Sequence, residues 1–224
     1  EFKLNSKVVE VKEGSVVYES NGERFTVPAE KVLMSIGRKP ATEGIGLETI
    51  GVETERGRIV TDKHCKTNVP EVYAAGDVNG YSMLAHTAYR EAEVCINNIL
   101  GKRDKMRYNA IPSVIYTNPE VGCVGETEES AKEKGLDVEI VKLPLTYSGR
   151  YVAENAEMDG IVKVIMHKKY RTILGVHMIG SYASEIIYGA AMMIENEMRV
   201  EDVRQIVFPH PTVGEVLKEI MWEF

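Results

Sequence analysis

Cysteine is scarce in this sequence. Its 224 residues include three, Cys65, Cys95 and Cys123, at wide spacings. None forms a C-x-x-C pair, so neither a disulfide framework nor a thiolate metal cluster is expected. A reducing compartment follows, most simply the cytoplasm. The histidines (His64, His86, His167, His177 and His210) include no H-x-x-x-H pair, which leaves a zinc site without support. Positive charge is also short: a net charge of −7 argues against binding to nucleic acid or to an anionic membrane. No apolar run approaches the length of a bilayer span. The start is a polar strand pattern rather than a basic segment followed by an apolar one, so no signal peptide is read. Repeats and low-complexity tracts are missing as well.

What is present is an ordinary soluble composition, 44% apolar and 27% charged, enough for one large domain or two small ones. Strand patterns cover residues 2–11, 15–18 and 24–27, with Asn21-Gly22 as a hairpin turn between the last two. Residues 31–36 form a short apolar run that reads as a buried strand ending at Gly37-Arg38-Lys39-Pro40. Nothing like a domain opening precedes these strands, so the chain is expected to be a piece of a longer protein. Residues 41–70 read as a connection. Residues 72–75 read as a short strand closed by Gly76-Asp77. A helix is expected over 84–100, with Leu84, Ala85, Ala88, Ala92, Cys95, Ile96 and Ile99 as its apolar face.

Beyond residue 110 the pattern is a strand-loop-strand over 113–125, a helix over 127–134 capped by Thr127, and strands over 138–143, 160–166 and 172–179. A long helix over 183–198 and a short one over 200–206 follow. Strands then helices, segregated in sequence, argue for an α+β fold over residues 111–224.

Near the C-terminus stands Phe208-Pro209-His210-Pro211-Thr212-Val213-Gly214-Glu215. The flanking prolines restrict the His210 backbone, and the His210–Pro211 bond is a candidate for cis. Val213, Val216, Leu217, Ile220 and Met221 give the helix that follows one apolar face. An imidazole on a rigid perch suits proton transfer. Glu215 has two readings. It can complete a capping box with Thr212, or it can hold one imidazole nitrogen and fix the tautomer. Upstream, a strand ending in Gly76-Asp77 offers a close backbone approach and a carboxylate for ligand hydroxyls. The helix start at Met83-Leu84-Ala85-His86 offers free amides to an anion or an electron-rich carbonyl edge.

Five motifs occur in order: Ile36-Gly37-Arg38-Lys39-Pro40, Tyr73-Ala74-Ala75-Gly76-Asp77, Met83-Leu84-Ala85-His86, Tyr116-Thr117-Asn118-Pro119-Glu120-Val121 and His210-Pro211-Thr212-x-x-Glu215. Together they resemble the C-terminal half of the flavoprotein disulfide reductases, and the Met-Leu-Ala-His form resembles the lipoamide branch. The resemblance implies three parts. Residues 1–42 would close an NAD-binding domain, with Gly37 near that cofactor. Residues 43–110 would be the returning segment of an FAD-binding domain. There Asp77 would meet the ribityl chain, and the amides near Met83, Leu84, Ala85 and His86 would face the flavin pyrimidine edge. Residues 111–224 would be the interface domain of a homodimer, an antiparallel sheet with helices. His210, held by Glu215, would be the acid/base for dithiol–disulfide exchange at the partner subunit's flavin.

The implied reaction of the intact protein is oxidation of dihydrolipoamide by NAD through FAD and a redox-active disulfide. Its partners would be the lipoyl domains of 2-oxo acid dehydrogenase or glycine cleavage complexes. The family's C-x-x-x-x-C pair and both G-x-G-x-x-G turns are absent from this sequence. The segment by itself is therefore expected to be inactive. Gly214 also departs from the serine usual in the lipoamide branch. Two other readings stay open: a cofactor-free dimerisation module, and part of a glutathione or coenzyme A disulfide reductase.

Overall fold

A computed structural model describes residues 1–155 and 159–224. The chain divides into two units, residues 1–39 and residues 40–224, which we take one at a time.

The first unit is an antiparallel sheet of β1 (Ser6–Lys12), β2 (Ser15–Ser20) and β3 (Glu23–Pro28), in that spatial order. Asn21 and Gly22 both take positive φ, 52° and 82°, as a tight hairpin turn between paired Ser20 and Glu23 requires. Tyr18 stacks on its cross-strand partner Phe25 at 5.4 Å. The buried strand expected at residues 31–36 does not form. Val32, Leu33, Met34 and Ile36 are exposed, Leu33 to 90%. A strand exists through its neighbours' N–H and C=O groups, and among the described residues none pairs with this run.

In the second unit, residues 40–110 make small clusters rather than layers. The two-residue strands β4 (Thr54–Glu55) and β5 (Arg58–Ile59) pair with each other, beside a cluster of Val52, Ile59 and Ala74. The strand expected at 72–75 reduces to one bridge between Tyr73 and Lys66, because only that segment is there to pair it. Helix α1 (Ala85–Ile99) forms as expected, but rotated from the expected face. Its buried residues are Thr87, Glu91, Val94 and Cys95, packed toward Cys65 and Met106. Ile96 and Ile99 are exposed. Counting apolar residues misses this face because two of its members are polar and satisfied: Thr87 Oγ1 lies 2.9 Å from Ser82 Oγ, and both Glu91 oxygens accept hydrogen bonds.

Residues 111–224 have the expected α+β architecture. A five-stranded antiparallel sheet runs in the order β6 (Ser113–Ile115), β7 (Val121–Gly125), β10 (Ile173–Ile179), β9 (Ile161–His167) and β8 (Val138–Pro144). Helix α2 (Glu128–Glu133) starts at Thr127, whose hydroxyl accepts from Ser130 N. Helix α3 (Gly149–Glu154) was not visible in the periodicity; Ser148 caps it by accepting from Tyr151 N. Helix α4 (Ala183–Glu195) covers one face of the sheet. Alternate strand residues Val162, Val164, Met166, Val176 and Met178 join its Ala183, Ile187, Ala190 and Ile194 in the main core, while Lys163 pairs with His177 on the opposite face. Gly122 lets the helix close in, since a Cβ there would stand 3.0 Å from Ala183 O. Helix α5 (Val200–Arg204) follows.

The helix expected after Pro211 is split into a 3-10 turn (Val213–Glu215), α6 (Val216–Glu219) and a second 3-10 turn (Ile220–Glu223). Its apolar face still holds: Val213, Val216, Leu217, Ile220 and Met221 all lie in the core. Each such side chain contributes about 1.5–3 kcal/mol on full burial. No helix among the described residues is long and apolar enough to cross a membrane.

Candidate functional site

The segment carrying His210 is fixed from both sides. Its downstream residues sink into the core. Ser148 at the start of α3 donates through Oγ to Thr212 O at 2.9 Å, and Lys218 donates to Ile206 O at 2.6 Å. The His210–Pro211 peptide is cis, as is Asn118–Pro119. Of the two readings of Glu215, the geometry selects one. Thr212 makes no side-chain cap; its hydroxyl donates instead to Pro209 O at 2.8 Å. Glu215 Oε2 accepts from His210 Nδ1 at 2.8 Å. The Glu215 side chain is 12% exposed, whereas the imidazole is 78% exposed. One ring nitrogen is thus anchored to a nearly buried carboxylate, and the ring stands open. A carboxylate at Nδ1 fixes the tautomer and places the basic lone pair at Nε2. That arrangement can take a proton from a group brought to the surface and return it.

A second set of residues lies around α1. Gly76 adopts φ 83°, ψ −159°, a region that side chains avoid. A Cβ there would meet Ala88 Cβ at 3.4 Å. Asp77 follows, exposed, at the start of a 3-10 turn (Asp77–Asn79). Leu84 precedes α1 without a side-chain cap, so the first-turn amides of Ala85 and His86 have no side chain closing over them. Met83 and Leu84 are half-buried beside that helix start. The His86 side chain is committed elsewhere, donating through Nε2 to Pro112 O at 2.8 Å. An exposed carboxylate after a glycine turn, and an uncapped helix start, fit a polyhydroxyl chain and an electron-rich carbonyl edge. A flavin dinucleotide presents both.

Gly37, in the first unit, takes φ 96° with open space where a Cβ would stand. Its backbone is therefore bare, at the position that the resemblance places near the nicotinamide nucleotide. The remaining histidines hold backbone groups: His64 Nδ1 donates to Asp104 O, His177 Nε2 to Glu126 O, and His167 Nδ1 accepts from Lys169 N. Among the described residues, no group of His, Cys, Asp and Glu is placed to hold a metal.

Two residues escaped the sequence reading. Glu91, fully buried in mid-helix, accepts through Oε2 from Gly76 N at 2.5 Å and through Oε1 from Tyr108 OH at 2.7 Å. Burial, followed by the hydrogen bond it donates to Glu91, pushes the Tyr108 phenol far above its usual range. Burial pushes the neighbouring Cys65 thiol up to about 12. Neither Glu91 nor Tyr108 lies in a motif. The only signal was an acidic residue in register with Thr87 and Cys95, on a face that apolar counting had not chosen.

Comparison with known proteins identifies the family. The dimerisation domain of pyridine nucleotide-disulphide oxidoreductases matches residues 111–221. A second model of the pyridine nucleotide-disulphide oxidoreductases matches residues 1–92. A dihydrolipoyl dehydrogenase of Bacillus subtilis is 40% identical over 206 residues, which is 92% of this chain and 44% of that protein. Among solved structures, LpdA from Mycobacterium tuberculosis superposes with a TM-score of 0.86 at 25% identity, covering 98% of this chain and 48% of that one. The HOCl-induced flavoprotein disulfide reductase RclA of Escherichia coli gives 0.78 at 28% identity, covering 94% and 48%. The chain spans less than half the length of these relatives. With 111–221 and 1–92 both matched, and an exposed histidine anchored on the dimerisation-domain segment, the chain belongs to the pyridine nucleotide-disulphide oxidoreductases.

Proposed function

We propose that the protein to which this chain belongs is a dihydrolipoamide dehydrogenase, and that residues 111–224 carry its acid/base group and its homodimer contact. The observation that carries the reading is the His210–Glu215 pair, 2.8 Å apart, with the imidazole open to solvent. FAD, when bound, supplies two-electron transfer between a dithiol and NAD. This chain's own residues do the rest of the work assigned to it. His210 Nε2 takes the proton of a substrate thiol, so that the thiolate, the reactive form, is produced at neutral pH. Glu215 holds the ring and offsets the positive charge it gains. Asp77 accepts hydrogen bonds from the ribityl hydroxyls, and the amides of Ala85 and His86 face the pyrimidine edge. Gly37 lets NAD approach the backbone.

The thiol pair itself is not in this sequence, and neither is a dinucleotide-binding G-x-G-x-x-G turn. The segment alone is therefore expected to be colourless and inactive. The exposed apolar runs at residues 32–36 and along α1 support its belonging with further chain. In the intact protein, lipoyl domains of 2-oxo acid dehydrogenase or glycine cleavage complexes are the expected donors.

A substrate panel on the full-length protein tests the reading. Dihydrolipoamide with NAD should give the highest kcat/KM. Faster turnover of glutathione disulfide or coenzyme A disulfide with a reduced nicotinamide nucleotide would replace it with one of those reductases.

A further inference from the structure

We propose that Glu91, braced by Tyr108, is a positioning residue that locks the Gly76–Asp77 turn to helix α1 and so sets Asp77 where it meets the polyol chain of the flavin. This rests on the flavin-binding reading above and adds residues that no motif supplied.

A carboxylate is costly to bury, and removing one partner of a buried, hydrogen-bonded charge exposes that cost. Glu91 has no solvent exposure. It is held by two donors from two other parts of the chain: the Gly76 amide, fifteen residues before it, and the Tyr108 hydroxyl, seventeen after it. The Gly76 amide is the informative partner. Its residue is buried and sits in a backbone region that glycine alone enters freely, so the direction of the turn is set by what holds its neighbours rather than by its own side chain.

Here the surroundings act on both of its polar groups. The amide donates to Glu91, and the carbonyl accepts from Asn79 N at 3.0 Å. The α1 backbone closes the third side through Ala88. The next residue out of this clamp is Asp77. Loss of the Glu91 acceptor leaves a buried N–H without a partner beside the one residue whose direction matters to the ligand.

The same helix carries both halves of the site. Ala85, in the first turn of that helix, lies six residues before Glu91, about 9 Å along the helix axis. One carboxylate thus fixes the register between the aspartate and the helix start. Burial first, and then its hydrogen bond to Glu91, keeps Tyr108 protonated as a donor must be.

The test is FAD affinity in the full-length apoprotein, followed by flavin fluorescence and by the position of the visible absorption band. Glu91→Gln is expected to raise the FAD Kd about tenfold and to shift the band, because a carboxamide can satisfy one of the two donors but not both as the carboxylate does. Tyr108→Phe, which removes one oxygen, is expected to have a smaller effect in the same direction. The deciding measurement is the cycle with Asp77→Ala. If Glu91 acts through Asp77, then Glu91→Gln adds nothing to the loss already caused by Asp77→Ala.

Additive losses, or an unchanged Kd in Glu91→Gln, would overturn the proposal while leaving the flavin reading in place. An unchanged Kd in Asp77→Ala would overturn both together. Should Glu91→Gln fail to fold, the same cycle is run with Tyr108→Phe, and additivity there counts against the proposal in the same way.

Discussion

Leu217, Ile220 and Met221 near the C-terminus are sealed inside the core, whereas Leu33, Met34 and Ile36 near the start of the chain stand open to solvent. The two runs are similar in apolar content and opposite in fate. The first is helical and packs into the core of an antiparallel sheet whose strands pair with partners supplied by this same chain, β7 with β10, β10 with β9 and β9 with β8. That sheet has its own covering helix, α4. The second is a short apolar run of the kind found in strands buried on both faces, and no described strand lies alongside it. The proposed proton-transfer pair His210–Glu215 sits in that region. The residues assigned to cofactors, Gly37, Asp77 and the start of α1, sit where apolar surface is left open. The proposed acid/base is thus held by contacts within the C-terminal region, whereas the proposed cofactor sites border apolar surface that the described residues leave open.

Substitutions can break or sharpen this contrast. The largest effect on stability is expected from Gly175→Ala. A Cβ on that central strand would lie 2.0 Å from Glu126 O, so the backbone must move and the His177–Glu126 hydrogen bond with it. A loss of about 3 kcal/mol or more is expected in urea unfolding of the chain; a loss below about 1 kcal/mol would mean the sheet is looser than its contacts indicate. Gly214→Ala should go the other way. Its φ is not positive, and the nearest atom to an added Cβ is Ile186 Cγ1 at 3.9 Å. A gain of about 0.5–1 kcal/mol is expected in the same assay, which also bears on the serine usual at this position in the lipoamide branch. The smallest effect belongs to the open region. Leu33→Ser should change the stability of this chain by no more than about 0.5 kcal/mol. A larger loss would show that residues 31–36 are buried after all.

What the sequence disclosed follows the same division. Where an element and its partner are both in the chain, the pattern sufficed. The strands of the five-stranded sheet, the Thr127 cap, helix α4 and the five core positions after Pro211 were all legible. Periodicity misled where the partner was missing, as at residues 31–36 and 72–75. It also misled where burial was polar, as on α1, whose buried face is built on Thr87 and Glu91. Helix α3 was hidden because glycine opens it and its cap is a lone serine. For the acid/base pair, sequence supplied the two residues but left Glu215 divided between a cap and an imidazole. Only the placement of Thr212 Oγ1 on Pro209 O separates the two.

The account stands most directly on His210. Replacing it with glutamine in the full-length protein keeps the size and the hydrogen-bonding edge but removes the imidazole that can take up and return a proton. Measured with dihydrolipoamide and NAD, at matched flavin content, turnover should fall by more than tenfold, since a positioned acid/base contributes about 10²–10⁴. A near-wild-type rate in that variant would contradict the assignment of His210–Glu215 as the proton-transfer pair.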